Sequence, residues 1–380
     1  MRPSDEILVQ ALSKVLHPTL GKPITDLGLV KSQSLFDKKV EVTVDLGALE
    51  PADRTGSLRQ TLGAEIRKAA SALPDVDSVV VRWEEDVPSR AVAEGDPLPG
   101  VKNVVLVMSG KGGVGKSTTA TNVAMALHRS GYRVGLLDAD IYGPSIPTML
   151  GVTGRPVSLD GKTIEPLERF GVKLMSIGFL LEDPKAAVIW RGPMLAGALN
   201  QFLNDVNWGK LDWLVLDLPP GTGDVSLTLS QRMKSSGAII VTTPQPVATD
   251  DVFKSVSMCQ KVSIPILGVV ENMSYFVDTA GVRHELFGKG GGQAVAEFAS
   301  APLLGQVPID QSVREWGDKG TPVVQAAPGS AIARSFFEIA ERLVDHVSAT
   351  RGSDGAATDQ GPVIDRSGGP GGRKRLPVVG

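Results

Sequence analysis

A single cysteine, Cys259, stands in 380 residues, so no internal disulfide framework can form. No apolar run approaches the roughly 18 residues that a membrane-spanning helix needs. The opening Met1-Arg-Pro-Ser-Asp-Glu lacks the basic-then-apolar build of a secretory signal. Together these absences lead to an expectation of a cytoplasmic protein without a membrane partner. A formal net charge of −3 gives no bulk electrostatic reason to bind nucleic acid. The first 88 residues also lack any dense set of histidine, cysteine or carboxylate, so nothing there reads as catalytic.

What is present is a chain long enough for two domains, 42% hydrophobic and 21% charged, with one stretch around which the rest is arranged. Residues 109–119 read Ser-Gly-Lys-Gly-Gly-Val-Gly-Lys-Ser-Thr-Thr and fit G-x-x-x-x-G-K-[ST], with Gly110, Gly115, Lys116 and Ser117 on the fixed positions. An apolar run at 104–108 precedes the motif and a helix-compatible segment at 118–129 follows it. That strand–loop–helix context is what phosphate binding requires. Glycines let successive backbone N–H groups turn toward one anion, and the helix N-terminus adds partial positive charge. Gly110, Lys111, Gly112, Gly113, Val114, Gly115, Lys116, Ser117 and Thr118 are therefore expected to hold the phosphates of a nucleotide. Lys116 reaches the outer phosphates, and the Ser117 hydroxyl ligates Mg²⁺.

The chain divides into a small α+β unit (1–88), a Pro/Gly-containing linker (89–100), a larger unit (101–348) and a tail (349–380) rich in Gly, Ser, Asp and Pro that reads as disordered. In the small unit, helices are expected over 5–16 and 57–73 and strands over 39–46 and 76–83. In the larger one, apolar runs at 104–108, 134–137, 174–177, 213–218, 238–241, 266–270 and 303–307 alternate with helix-like segments, and a last helix is expected over 330–347. Strands buried on both faces and separated by helices imply an α/β fold, a doubly wound and mostly parallel sheet.

Ligands of such sheets gather at the carboxyl ends of the strands. Two apolar runs end in acids there: Asp138-Ala-Asp140 and Asp217-Leu-Pro-Pro-Gly-Thr-Gly-Asp224. Asp217 and Asp138 are expected to support Mg²⁺ together with Ser117, and Asp140 to orient the attacking water. Asn272, after the run at 266–270, has an amide that can donate and accept, which suits an adenine edge; a plain turn residue is the other reading.

Lys111, a second lysine inside the loop, is not required by the general motif. With it, the loop resembles the deviant-P-loop ATPases of the MinD/ParA class. The resemblance implies a homodimer in which Lys111 reaches the nucleotide of the partner subunit, and it places Pro308 and Asp310 beside the base. Further stretches narrow the likeness: Asp-Ala-Asp-Ile-Tyr-Gly-Pro-Ser (138–145), Trp-Arg-Gly-Pro-Met (190–194), residues 217–224, Glu-Asn-Met-Ser-Tyr-Phe (271–276) and Phe-Gly-Lys-Gly-Gly-Gly (287–292). They resemble the Mrp/NBP (ApbC-like) iron–sulfur cluster carrier ATPases. Residues 18–30 likewise resemble the start of a small iron–sulfur-assembly domain. The resemblance implies ATP with Mg²⁺, an iron–sulfur cluster as cargo, and apoproteins or assembly proteins as partners. It also implies a Cys-x-x-Cys pair after Asn-Met-Ser, and here those two positions are Asp278 and Gly281. Cluster iron is ordinarily held by thiolates. Cys259 falls in a helical segment, where a buried small residue is the expected role.

Two functions follow from the sequence. One is an ATP-hydrolysing factor that carries or assembles iron–sulfur clusters, either through altered ligands or with a partner that brings the thiolates. The other is a nucleotide-switched positioning ATPase like ParA or MinD; against it stands the lack of an evident basic surface helix or terminal amphipathic helix.

Overall fold

The computed structural model describes residues 3–36, 38–46, 56–74, 76–84, 89–92, 94–158, 160–180, 192–221, 229 and 232–354. Asp224, the Trp-Arg of 190–191 and the tail beyond 354 lie outside the described residues. Among the helix-like segments between the apolar runs, the stretch 226–235 is described only at residues 229 and 232–235, of which 229 and 232 are helical.

The small unit packs helices Pro3–Leu12 and Gly56–Ser71 on a three-stranded sheet of β1 (Val30–Phe36), β2 (Lys39–Asp45) and β3 (Ser78–Glu84). In β2, Val40, Val42 and Val44 alternate with polar neighbours, and all three valines are buried. They meet Leu8, Leu12, Leu62 and Ile66 of the helices in one core. Residues 30–36, Val-Lys-Ser-Gln-Ser-Leu-Phe, form a strand that their composition hides; β1 is mostly exposed and is held by antiparallel pairing to β2.

The larger unit is a nine-stranded sheet. Its strands are β4 (Val101–Ser109), β5 (Val134–Asp138), β6 (Leu167–Arg169), β7 (Val172–Ser176), β8 (Leu211–Asp217), β9 (Gly237–Thr242), β10 (Ile266–Val277), β11 (Arg283–His284) and β12 (Leu303–Ile309). The order is β11-β10-β9-β4-β8-β5-β7-β6, with β12 also on β10, and only β11 and β6 run antiparallel to their neighbours. The period-2 side-chain rule explains the two-sided covering. Val105 and Val107 of β4 enter a core shared with helices Lys116–Arg129 and Ala331–Asp354. Val104, Leu106 and Met108 enter the opposite core, with helices Gly192–Asn204 and Pro246–Lys261.

The closing helix runs to Asp354, past the end expected at Val347. Residues 349–351 carry no helix breaker, and the Thr350 hydroxyl donates back to the His346 carbonyl at 2.9 Å. β10 likewise continues well past the expected 266–270 and carries the chain into a hairpin with β11.

The two units touch at a defined seam. Arg59 is buried, with its guanidinium 4.0 Å from the Tyr132 ring centroid and 5.6 Å from that of Trp83. Gly131 has φ +97°, and a Cβ there would lie 2.0 Å from Trp83 Cδ1, so only glycine fits. The linker is tied down as well: Arg90 is buried, donates to both Asp96 oxygens, and reaches the carbonyls of Leu98 at 2.7 Å and Lys234 at 3.0 Å.

Candidate functional site

The site is built where β4, β8 and β5, adjacent in the sheet, end together. Parallel register sets Asp217 beside Asp138 on one side and beside Val107 on the other. β4 then gives way to the loop, where Gly113 and Gly115 have φ +80° and +84° before the helix opens at Lys116. A Cβ on Gly115 would lie 2.0 Å from Asn272 Nδ2, and one on Gly110 would lie 2.4 Å from the Val252 amide nitrogen. Both positions therefore need glycine for space, and Gly115 for its backbone conformation too.

Lys116 is buried, and its ammonium is 2.6 Å from Asp217 Oδ1, 3.2 Å from Asp140 Oδ2 and 3.3 Å from Ser117 Oγ. Asp138 lies deeper. It accepts hydrogen bonds from Asp140 N at 3.2 Å, Ile146 N at 3.2 Å and Ser176 Oγ at 3.1 Å. One ammonium faces two carboxylates, with a third behind Asp217, and the consequence is electrostatic. Burial, and then the charge of Asp217, push the Asp138 carboxyl up to about 8. Burial also raises Asp217, with Lys116 opposing. Asp217 Oδ2 is buried and accepts no hydrogen bond among the described residues. An orphaned carboxylate oxygen and an excess of negative charge beside the Ser117 hydroxyl fit a divalent cation arriving with the phosphates.

The sign of the pH effect follows. Between the unfolded carboxyl value near 4 and about 8, the native state holds a proton on Asp138 that the unfolded chain has lost. Stability from this group is therefore greatest below that window and falls as pH rises through it. Without nucleotide or metal, Asp138→Asn is expected to gain on the wild type by roughly 1 kcal/mol per pH unit across this range. Urea unfolding of both proteins at pH 5 to 8.5 checks it; a constant difference contradicts a protonated Asp138.

Lys111 is half-buried on the loop and makes no ion pair among the described residues. Its carbonyl accepts from Ser109 Oγ at 3.0 Å, which fixes the backbone and leaves the ammonium available. Gly112 and Gly113 are exposed and Val114 is buried.

Beside the loop lies a cavity of 870 Å³, a size that suits a nucleoside. Gly115 and Thr118 form its phosphate end, and Met149, Met273, Leu286, Phe287 and Pro308 give it apolar walls. Met273 sits at φ +55°, in the stretch where the β10–β12 register slips. Asn272 and Asp310 line the cavity, but part of each side chain is already committed. Asn272 Nδ2 donates to the Val114 carbonyl at 2.8 Å. Asp310 caps the helix Gln311–Asp318 through Ser312 N at 2.8 Å. Asn272 thus supports the phosphate loop from above, with its Oδ1 left for a ligand.

The hairpin that follows does not fit an iron–sulfur cluster. Asp278 Oδ1 accepts from Ala280 N and Val282 N, each at 2.9 Å, and Oδ2 lies 2.7 Å from His284 Nε2. The pairing with His284 and these backbone donors hold the Asp278 carboxyl below its usual range. Gly281, at φ +81°, closes the turn with no side chain to offer. Where the resemblance implied two cysteines, aspartate and glycine form a self-satisfied turn. No group of three or more His, Cys, Asp or Glu is placed to hold a metal ion among the described residues. Cys259 lies in the core with its thiol 3.6 Å from Met108 Sδ, and burial pushes it up to about 11. It is a packing residue.

Sequence reasoning passed over two polar residues. Ser176 ends β7 beside Asp138, and the rule that found the acids at strand ends would have found it. Glu271 is fully buried. It accepts from Gly292 N at 2.6 Å, Gln306 Nε2 at 2.7 Å and the Ser274 hydroxyl, so one carboxylate ties β10, β12 and the helix Gly291–Ala299 behind the cavity. Glu271→Ala strands three donors and is expected to cost about 3 kcal/mol of unfolding free energy, read from the urea midpoint.

Comparison with known proteins agrees with this geometry. The family model described as "NUBPL iron-transfer P-loop NTPase" matches residues 100–344, and the one described as "Iron-sulfur cluster assembly protein" matches residues 5–82. An iron–sulfur cluster carrier protein of Synechocystis is 43% identical, with 92% of this chain and 99% of that protein covered. The Escherichia coli K12 protein of the same name is 41% identical, with 87% and 89% covered. A solved nucleotide-binding protein of Archaeoglobus fulgidus, in complex with ADP, is 38% identical over 65% of this chain and 98% of its own, with a TM-score of 0.55. On these matches the chain belongs to the NUBPL iron-transfer P-loop NTPase family, carried behind an iron–sulfur-cluster-assembly domain.

Proposed function

We propose that this protein is an ATP-hydrolysing carrier and assembly factor for iron–sulfur clusters that works as a homodimer. The observation that carries the nucleotide half is the Lys116 ammonium held among Asp217, Asp140 and Ser117 at the mouth of the phosphate loop. ATP would place its phosphates over the loop amides and its base in the apolar cavity. Lys116 would then exchange its carboxylates for phosphate oxygens. Asp140, released from the ammonium, would orient the attacking water. A Mg²⁺ bound by Ser117, with Asp217 and Asp138 behind it, would neutralise charge on the phosphates. Lys111 would complete the partner subunit's site at the moment of transfer.

The cluster is cargo, and the hairpin at Asp278 dictates how it is handled. Without thiolates of its own there, the dimer would hold a cluster jointly with a protein that supplies sulfur ligands, and nucleotide turnover would bias its release to an apoprotein. The test is anaerobic incubation with a cluster-loaded thiolate donor, with cluster transfer to an apoprotein followed by absorbance. Transfer that ATP accelerates and that Lys116→Ala abolishes is the expected result. Phosphate release with no effect on transfer would remove the carrier reading and leave the ATPase.

A further inference from the structure

At the end of the sheet opposite the nucleotide site, a groove of 700 Å³ runs between the two units. One wall is β3. Val79, Val80, Val81 and Arg82 all line it, although alternate residues of a strand point to opposite faces. A groove lined by four consecutive strand residues lies along the backbone edge. Among the described residues β3 pairs only with β2, so that edge is open. Its register with β2 is unbroken from Lys39↔Ser78 to Asp45↔Glu84. The other edge of this sheet, β1, is interrupted by a bulge near its start, a common way of blunting an edge; β3 has neither bulge nor proline.

The rest of the lining is basic. Arg67, Arg129 and Lys210 line the groove, and none of the three makes an ion pair among the described residues; Arg129 only donates to Gln325 at 3.1 Å. Burial, and then the charge of Arg129, hold the Arg67 guanidinium below its usual range, so the two cations repel each other. The other cations there are committed: Arg133 to Asp212, Arg82 to Glu41, and Lys173 to the carbonyls of Asn207 and Trp208. Glu168 is the one acid among the described lining residues.

We propose that this groove binds an extended acidic segment of a partner protein, which adds as a strand to β3 and sets its carboxylates against Arg67, Arg129 and Lys210. An unblunted strand edge supplies the backbone donors and acceptors of β-augmentation. The three unpaired cations supply the sign preference. A small multivalent anion would satisfy the cations but has no use for the strand edge, and this favours the peptide. The basic stretch Arg373–Arg375 of the chain's own tail carries the wrong charge to be the occupant.

The experiment uses the full chain and a fluorescein-labelled eight-residue peptide of alternating threonine and glutamate, with a threonine–lysine peptide as control. Anisotropy should show saturable binding of the acidic peptide alone, weakening with salt. Backbone amides of residues 79–82 should become protected from hydrogen exchange in the complex. Arg67→Gln with Arg129→Gln and Lys210→Gln should reduce affinity by at least about tenfold. If that triple variant unfolds, the single Lys210→Gln, at an exposed site, should still weaken binding about threefold. Nucleotide turnover should be the same in the Lys210→Gln variant, which separates this groove from the ATP site. Equal binding of both peptides, no binding, or binding without amide protection would overturn the proposal. So would displacement by millimolar tripolyphosphate that binds without protecting residues 79–82, since that outcome assigns the groove to a small anion.

Discussion

Lys111→Ala is expected to leave ATP affinity within about threefold and to lower kcat by about 10³-fold, the scale of a cation supplied to a phosphoryl-transfer transition state. The expectation rests on a contrast between two lysines five positions apart in one loop. Lys116 is buried and held by two carboxylates, whereas Lys111 is half-buried and has no ion-pair partner in its own subunit among the described residues. Its backbone is anchored by Ser109, so truncating the side chain leaves the loop intact. A mixing assay decides whether the lysine acts across the dimer. Lys111→Ala keeps a sound phosphate site but delivers no ammonium; Lys116→Ala has a broken site but still delivers Lys111. Combined in equal amounts, the two inactive proteins should recover roughly a quarter of wild-type turnover, because half the dimers are mixed and each has one complete site. No recovery, in a sample shown to exchange subunits, contradicts catalysis in trans.

Lys116→Ala is expected to abolish measurable ATP binding and turnover, with kcat/KM reduced by at least about 10⁴-fold. Here the effect reaches beyond the ligand. Removing the ammonium leaves Asp217 and Asp140 facing each other with no cation, and Asp138 behind them. The free protein should therefore lose stability as well, by about 3 kcal/mol at neutral pH, and most of that loss should disappear toward pH 4 as the carboxyls protonate. Calorimetric binding and urea unfolding separate the two losses. A variant that binds ATP normally would show that the backbone amides alone hold the phosphates.

The parts legible in the sequence were those fixed by local rules. Val104–Met108 of β4, Trp213–Leu216 of β8 and the runs of β5 and β9 are apolar on both faces because helices cover both sides of the sheet, so their composition declares them. The loop and its acids follow from strand ends. What stayed hidden depends on partners distant in sequence. β1 is polar and is a strand only through β2. Glu271 reads as an ordinary surface acid until Gly292 and Gln306 close over it. Asn272 lines the cavity, where the sequence sets it against a base, but its donor also supports Val114, a contact 158 positions away that no spacing rule encodes. The hairpin was legible only as a departure from the resemblance; the Asp278–His284 pairing within it came from the fold.

The crowd of carboxylates around Lys116 makes this site a coincidence detector. A nucleotide without a divalent ion brings more negative charge to a pocket that already has three acids, and it competes with Asp217 and Asp140 for the same ammonium. A divalent ion alone meets an orphaned oxygen on Asp217 and a protonated Asp138, with no phosphate to complete its shell. Each arrival removes the other's obstacle, since the phosphates draw Lys116 off its acids and the ion takes the acids that Lys116 leaves. On this charge balance the loop is expected to take the metal–nucleotide complex as a unit and to bind either component alone more weakly, which calorimetric titration with ATP in the presence and absence of Mg²⁺ would read.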